Sequence, residues 1–154
     1  MGRLQGELKK QNPFETAEEE ALINLLRTSD QIQNRRGKMF REFGITSSQY
    51  NVLRILRGEG DRLPSREIAA RTIQVVPAMT GLLDRLESQK LVARERCPED
   101  RRVIYIHLTD RGRKLLGDLD EPMKRVHQEL LGHLSKEELN RFSELLEKAR
   151  EGKP

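Results

Sequence analysis

The sequence predicts a mainly α-helical protein with one small β-hairpin late in the chain, and three observations predict it. Leucine and isoleucine recur at steps of three and four over most of the 154 residues. Three capping-box pairs, Thr16/Glu19, Thr46/Gln49 and Ser135/Glu138, mark helix starts. Only between Leu91 and Leu108 does the apolar period fall to two.

The elements follow in order. Behind Thr16, a stripe of Leu22, Leu25/Leu26, Ile32 and Met39/Phe40 predicts a long amphipathic helix that Gly44 ends, with Ser29 and Arg36 as polar entries. Thr46 and Gln49 open a helix with Tyr50, Leu53 and Leu56 inward, broken by Gly58–Asp61. Ser65 is expected to cap a short helix to Arg71, with Ile68 and Ala69 inward. After a brief turn at 72–76, Pro77 suits the first position of a helix whose Met79, Leu82, Leu83 and Leu86 form an apolar face, ending near Gln89–Lys90. Leu91–Arg96 and Val103–Leu108 alternate around the turn signal Cys97-Pro98-Glu99-Asp100, a hairpin with a charged tip. Thr109 then caps a long helix carrying Leu116, Leu119, Met123, Val126 and Leu130, with Pro122 as the place for a bend. Ser135 opens a last helix with Leu139, Phe142, Leu145 and Leu146.

Composition narrows the class. The length suits one domain, and regular leucine spacing argues against disorder, although charged residues reach 35% and mean hydropathy is −0.75. The longest apolar run, Val103–Ile106, is far short of the ~18 residues of a membrane span, so no membrane partner is expected. The start has no apolar stretch of a secretory signal, and the single cysteine, Cys97, fits a reducing cytoplasm. Net charge is +4, and the stretch 101–114 holds five bases (Arg101, Arg102, Arg111, Arg113, Lys114) against one acid, Asp110, an excess equal to that of the whole chain. A focused patch of this kind suits a polyanion such as nucleic acid.

Enzyme chemistry has no signature, and no cofactor is expected. Gly112–Gly117 has phosphate-loop glycine spacing, but Asp118 stands where that loop needs lysine. No GxSxG occurs, and Cys97 lacks a neighbouring histidine set. His127 and His133 lie six apart, about 240° around a helix, and His107 is on a strand, so no metal site is expected.

A short helix, a turn, a second helix and a basic hairpin make a winged helix-turn-helix. The second helix is slim enough for a major groove of ~12 Å. Its leucine face binds the domain, while Pro77, Ala78, Thr80, Gly81, Asp84, Arg85 and Ser88 point outward. Thr80 suits a base edge or phosphate; Val75, Val76 and Ala78 suit thymine methyl groups; Arg85 reaches a phosphate or pairs with Asp84. Gln74 belongs to the same candidate surface, as does Ser65 if its hydroxyl both caps and donates to a phosphate. The tip residues Arg101 and Arg102 suit the narrow, negative minor groove. Arg94 and Arg96 read equally as solvated strand residues.

These residues resemble the multiple antibiotic resistance regulators, the MarR family. The strongest match is Val75–Gly112, with a recognition helix containing T-x-L-L-D-R-L-E, a strand-leading L-V-x-R, and the wing pattern formed by Asp100, Arg102, Leu108 and Thr109. The resemblance implies a homodimeric regulator binding double-stranded DNA, most simply a repressor on a pseudo-palindromic operator, associated with the bacterial nucleoid. It implies that Arg102 enters the minor groove while Asp100 holds the wing. It assigns 1–15 to an N-terminal extension and 16–150 to the family domain, with dimerisation helices at 16–43 and 116–150 around a DNA-binding lobe at 46–114. A small aromatic acid as effector, met by Arg36, is a further implication; an interface ion pair for Arg36 competes with it. Two departures stand out: Gly81 replaces a basic or polar reader, and Gln89-Lys90 replaces the usual glycine before the strand. A redox- or metal-responsive regulator, with Cys97 as the sensor, and a winged helix that binds proteins instead of DNA remain the alternatives.

Overall fold

The computed structural model describes residues 3–73 and 78–152. The chain forms two compact units, residues 1–38 and 39–154. None of the helices among the described residues is long and apolar enough to cross a membrane.

The first unit holds a helix the periodicity did not announce, α1 (Arg3–Glu7), and most of α2 (Ala17–Glu42). The Glu7 carboxylate accepts from the Nε atoms of Arg3 and Arg27, each at 3.0 Å, which ties the two helices. At the start of α2 the Thr16 hydroxyl accepts the Glu19 N–H at 3.1 Å, but the Glu19 carboxylate takes the N–H of Glu15 instead of that of Thr16. Half of the expected reciprocal pair is therefore displaced by one residue.

In the second unit α2 closes at Gly44, whose φ of +72° lets the Ile45 N–H reach back to Phe40 O. The Thr46/Gln49 box is complete and opens α3 (Ser47–Gly58), which buries Tyr50, Val52, Leu53 and Leu56. The Phe40 and Tyr50 rings meet at 4.8 Å between centroids. The glycine-rich stretch after α3 leads into a strand the sequence reading lacked, β1 (Arg62–Pro64), and then α4 (Ser65–Ala70) and α5 (Met79–Ser88). In α4 Ile68 is fully buried, but Ala69, expected inward, is exposed.

Strands β2 (Val92–Arg96) and β3 (Ile104–Leu108) pair as the predicted hairpin, and β1 adds to the other edge of β3, so the antiparallel order is β1-β3-β2. The expected two-stranded hairpin is thus a three-stranded sheet. Leu63 and Arg94 both lie opposite Ile106, which is fully buried, so these three positions share the inner face.

From the hairpin the chain enters α6 (Asp110–Leu131) without a linker. Thr109 caps it by accepting the Gly112 N–H at 3.1 Å, and its hydroxyl hydrogen points to the carbonyls of Lys90 and Leu91 at 2.7 and 2.9 Å. A Cβ on Gly112 would lie 2.3 Å from Leu91 O, so only glycine permits this approach. Leu116, Leu119, Met123 and Val126 are buried as predicted, and α6 runs unbroken through Pro122. A complete Ser135/Glu138 box opens α7 (Lys136–Glu151), which buries none of its residues. Each fully buried leucine of the core contributes roughly 1.5–3 kcal/mol over an exposed one.

Candidate nucleic-acid interface

The site begins with what holds α5. Leu82, Leu83 and Leu86 are buried and Met79 is half-buried, so the predicted apolar face is the one that meets the core. At the far end Lys90 takes the left-handed conformation at φ +59°, a region that favours glycine. Its N–H reaches Glu87 O at 2.8 Å and the Leu91 N–H reaches Leu86 O at 3.0 Å. Two carbonyls at the helix end are thereby satisfied, and buried Leu86 and Leu91 close the turn from inside. The helix stop is sharp despite the missing glycine.

The outward face is as expected where it is described. Ala78, Thr80, Gly81, Asp84, Arg85 and Ser88 are exposed. Ala78 is the N-cap and makes no side-chain capping bond. Gly81 faces open space. Gln74, Val75, Val76 and Pro77, all assigned to this surface or to the turn before it, lie outside the described residues.

Two expectations change. Ser65 does not cap α4: Pro64 occupies the N-cap with no side-chain bond, and Ser65 is the first helical residue. The reason is β1, which carries the chain straight into the helix from an extended proline, leaving the hydroxyl one position too late. Ser65 instead lines a cleft of about 300 Å³ with Thr80 and Arg94. Nor does Arg85 pair with Asp84. Arg94 takes that carboxylate at 2.6 Å and Glu87 at 2.6 Å. Desolvation pulls the Arg94 pKa down, but the hydrogen bonds to Asp84 and Glu87 outweigh it and leave it raised. The sequence alone leaves Arg94 an even choice between a contact and a solvated strand residue. Its signal was the alternation itself, which puts Arg94 on the Val92 face, one that proves to be inward.

At the wing tip the Asp100 carboxylate accepts the Arg102 N–H at 3.0 Å and its Nε at 3.2 Å. The side chain of Arg102 nevertheless stays 93% exposed. Its anchoring and its availability coexist, because the bond to Nε leaves both terminal nitrogens of the guanidinium to solvent. Arg101 beside it is exposed as well. The rest of the basic stretch is partly neutralised. Arg113 pairs with Asp61 at 3.0 Å and Asp110 at 3.6 Å, and Lys114 with Asp118 at 2.6 Å. Exposed Arg111 adds to Arg101 and Arg102, so the positive charge of the stretch remains at the tip and at the start of α6. Cys97 is half-buried at the base of the tip, where its N–H bonds Val103 O. Arg36 is half-buried on α2 in the first unit.

Comparison with known proteins bears on this arrangement. Residues 43–103 match the model of the MarR family. A solved MarR transcription factor from Planctomyces limnophilus is 40% identical, with 88% of this chain and 98% of that one aligned at a TM-score of 0.69. The HTH-type transcriptional regulator MhqR of Bacillus subtilis is 29% identical over 82% of this chain and 86% of its own length. The homoprotocatechuate degradative operon repressor of Escherichia coli is 26% identical over 81% and 84%. With a leucine-backed helix, a three-stranded wing and this similarity along nearly its whole length, the chain belongs to the MarR family of DNA-binding transcriptional regulators.

Proposed function

We propose that the protein is a homodimeric repressor that places α5 in the major groove of a pseudo-palindromic operator and the hairpin tip in the adjacent minor groove. Thr80, Gly81, Ala78 and Arg85 face the bases and backbone of the major groove, with Gln74, Val76 and Pro77 leading into them. Ser65 approaches a phosphate from α4. Arg101 and Arg102 enter the minor groove, and Asp100 sets the aim of Arg102. The observation that carries this reading is the wing tip: an arginine 93% exposed yet fixed at both backbone and Nε by one carboxylate. A tethered, solvent-facing guanidinium loses little conformational freedom on entering a groove.

The second chain is inferred from leucines left in water. Leu22 and Leu26 on α2 are 58% and 60% exposed, and Leu145 on α7 is 56% exposed. Apolar stripes of this kind are what a two-fold interface covers. Two half-sites about one turn of DNA apart, ~34 Å, then match two recognition helices. The E. coli relative's name as a repressor of a degradative operon supports the repressor sign. It also supports a small aromatic acid as the effector, with Arg36 as its candidate contact.

The test is a salt-controlled gel shift on a duplex enriched by the protein from a random pool. Arg102→Ala is expected to weaken binding by about 1–3 kcal/mol, and each lost phosphate contact to reduce the salt slope by ~0.9. Unchanged affinity removes Arg102 from the interface. A protein that enriches no duplex at low salt is instead a protein-binding winged helix.

A further inference from the structure

The recognition helix carries an unexpected burden for a surface meant to approach phosphates. Thr80, Asp84 and Glu87 stand at i, i+4 and i+7, one stripe of α5. The residue offered to DNA thus shares its stripe with two carboxylates, whose side chains are 58% and 41% exposed. Left alone, they would present two negative charges next to a polyanion.

Arg94 answers both. It projects from the inner face of β2, opposite Ile106, and its side chain is only 25% exposed. One terminal nitrogen donates to Asp84 Oδ1 and the other to Glu87 Oε2, both at 2.6 Å. A planar guanidinium bridging carboxylates one turn apart also fixes the roll of a helix about its axis, because rotation breaks one bond or the other. The anchor is the wing strand, so the roll of α5 is set relative to the element that carries Arg101 and Arg102. Thr80 and Arg94 line the same cleft.

We propose that Arg94 is a positioning residue for DNA recognition: it clamps Asp84 and Glu87 to set the roll of α5 against the wing and offsets one of the two charges that would repel the phosphates. This rests on the DNA-binding reading above.

The experiment compares wild type, R94Q, R94K and the triple variant R94Q/D84N/E87Q on the fluorescein-labelled duplex that the wild type enriches, across a salt series. Circular dichroism and thermal melting report folding alongside. R94Q is expected to weaken binding about tenfold or more, R94K to recover part of the loss, and the triple variant most of it, since its amides still hydrogen-bond and no carboxylate remains. The R94Q deficit is expected to shrink as salt rises, because repulsion between charges near the surface is screened. A merely structural role would lower the melting temperature and leave the affinity of the folded protein and its salt dependence unmoved. That result, or a folded triple variant as weak as R94Q, overturns the proposal. If R94Q does not fold, R94K, which keeps the charge but not the planar two-pronged bridge, decides: weaker binding by the folded variant supports the clamp, and wild-type affinity across the salt series overturns it. A wild type that enriches no duplex overturns both this inference and the DNA-binding reading, whereas Arg94 variants that match a binding wild type overturn this inference alone.

Discussion

Helices α5 and α7 carry leucines at the same helical spacing and meet opposite fates. In α5, Leu86 is completely buried and Leu82 and Leu83 nearly so, sealed by α3, the sheet and α6 in one core. In α7 no residue is buried, and Leu145 stands 56% exposed. Periodicity therefore predicts that a helix has an apolar side, not what lies against it. The covered side builds the lobe that presents α5 and the wing. The uncovered side is the one the proposed second chain would cover.

Leucine-to-alanine substitution at the two places separates these roles most strongly. Leu86→Ala is expected to cost about 2–5 kcal/mol of folding stability, seen as a large drop in the denaturant midpoint, because a sealed cavity replaces the side chain. Leu145→Ala is expected to leave the melting of the monomeric full chain nearly unchanged, while Leu145→Asp shifts the sedimentation coefficient toward that of one chain. If Leu145 proves as costly as Leu86 at concentrations where the protein is monomeric, the contrast between the helices fails.

A smaller effect sharpens the outward side of α5. Gly81 lies in the first turn of α5 with open space around its Cα, so Gly81→Ala is expected to raise stability by at most about 0.5–1 kcal/mol in thermal melts while the fold persists. A decrease would mean that the glycine is packed, contrary to its exposed position.

The smallest effect concerns how α3 is held to α6. Arg57 bonds both carboxylate oxygens of Asp120, at 2.9 and 3.0 Å, and the hydrogen bond from Arg57 holds the Asp120 pKa below its ordinary value. A carboxylate depressed in the folded state adds stability above its unfolded pKa of about 3.9, and that stability is lost as pH falls through the lower folded value. Both partners are partly exposed, so screening limits the pair to about 0.2–1 kcal/mol. Asp120→Asn is expected to lower the melting temperature slightly at neutral pH and to match wild type in strong acid. A gap that persists or widens in acid removes the pair as its cause.

Much of this architecture was legible because it is local. The Thr46/Gln49 and Ser135/Glu138 boxes, the leucine face of α5 and the strand alternation each depend on residues within a few positions of one another. The misses depend on partners far along the chain. β1 is three residues long, includes Pro64 and exists because Leu63 meets Ile106 across the sheet, so no window around it shows a period. Its presence also moved the N-cap from Ser65 to Pro64. Ala69 gave no sign of its side because α4 is too short to display a face. At the candidate site, the aspartate–arginine turn of the wing followed from the resemblance of its pattern to the MarR family, whereas the grip of Arg94 on α5 needed the strand register.

The junction at Thr109 and Gly112 has a mechanical consequence. One hydroxyl fastens the start of α6 to the carbonyls that precede β2, and the bare Cα of Gly112 presses against Leu91 O. With so little room between them, a shift of the start of α6 is expected to be carried to the root of the hairpin, as a lever is moved at its fulcrum.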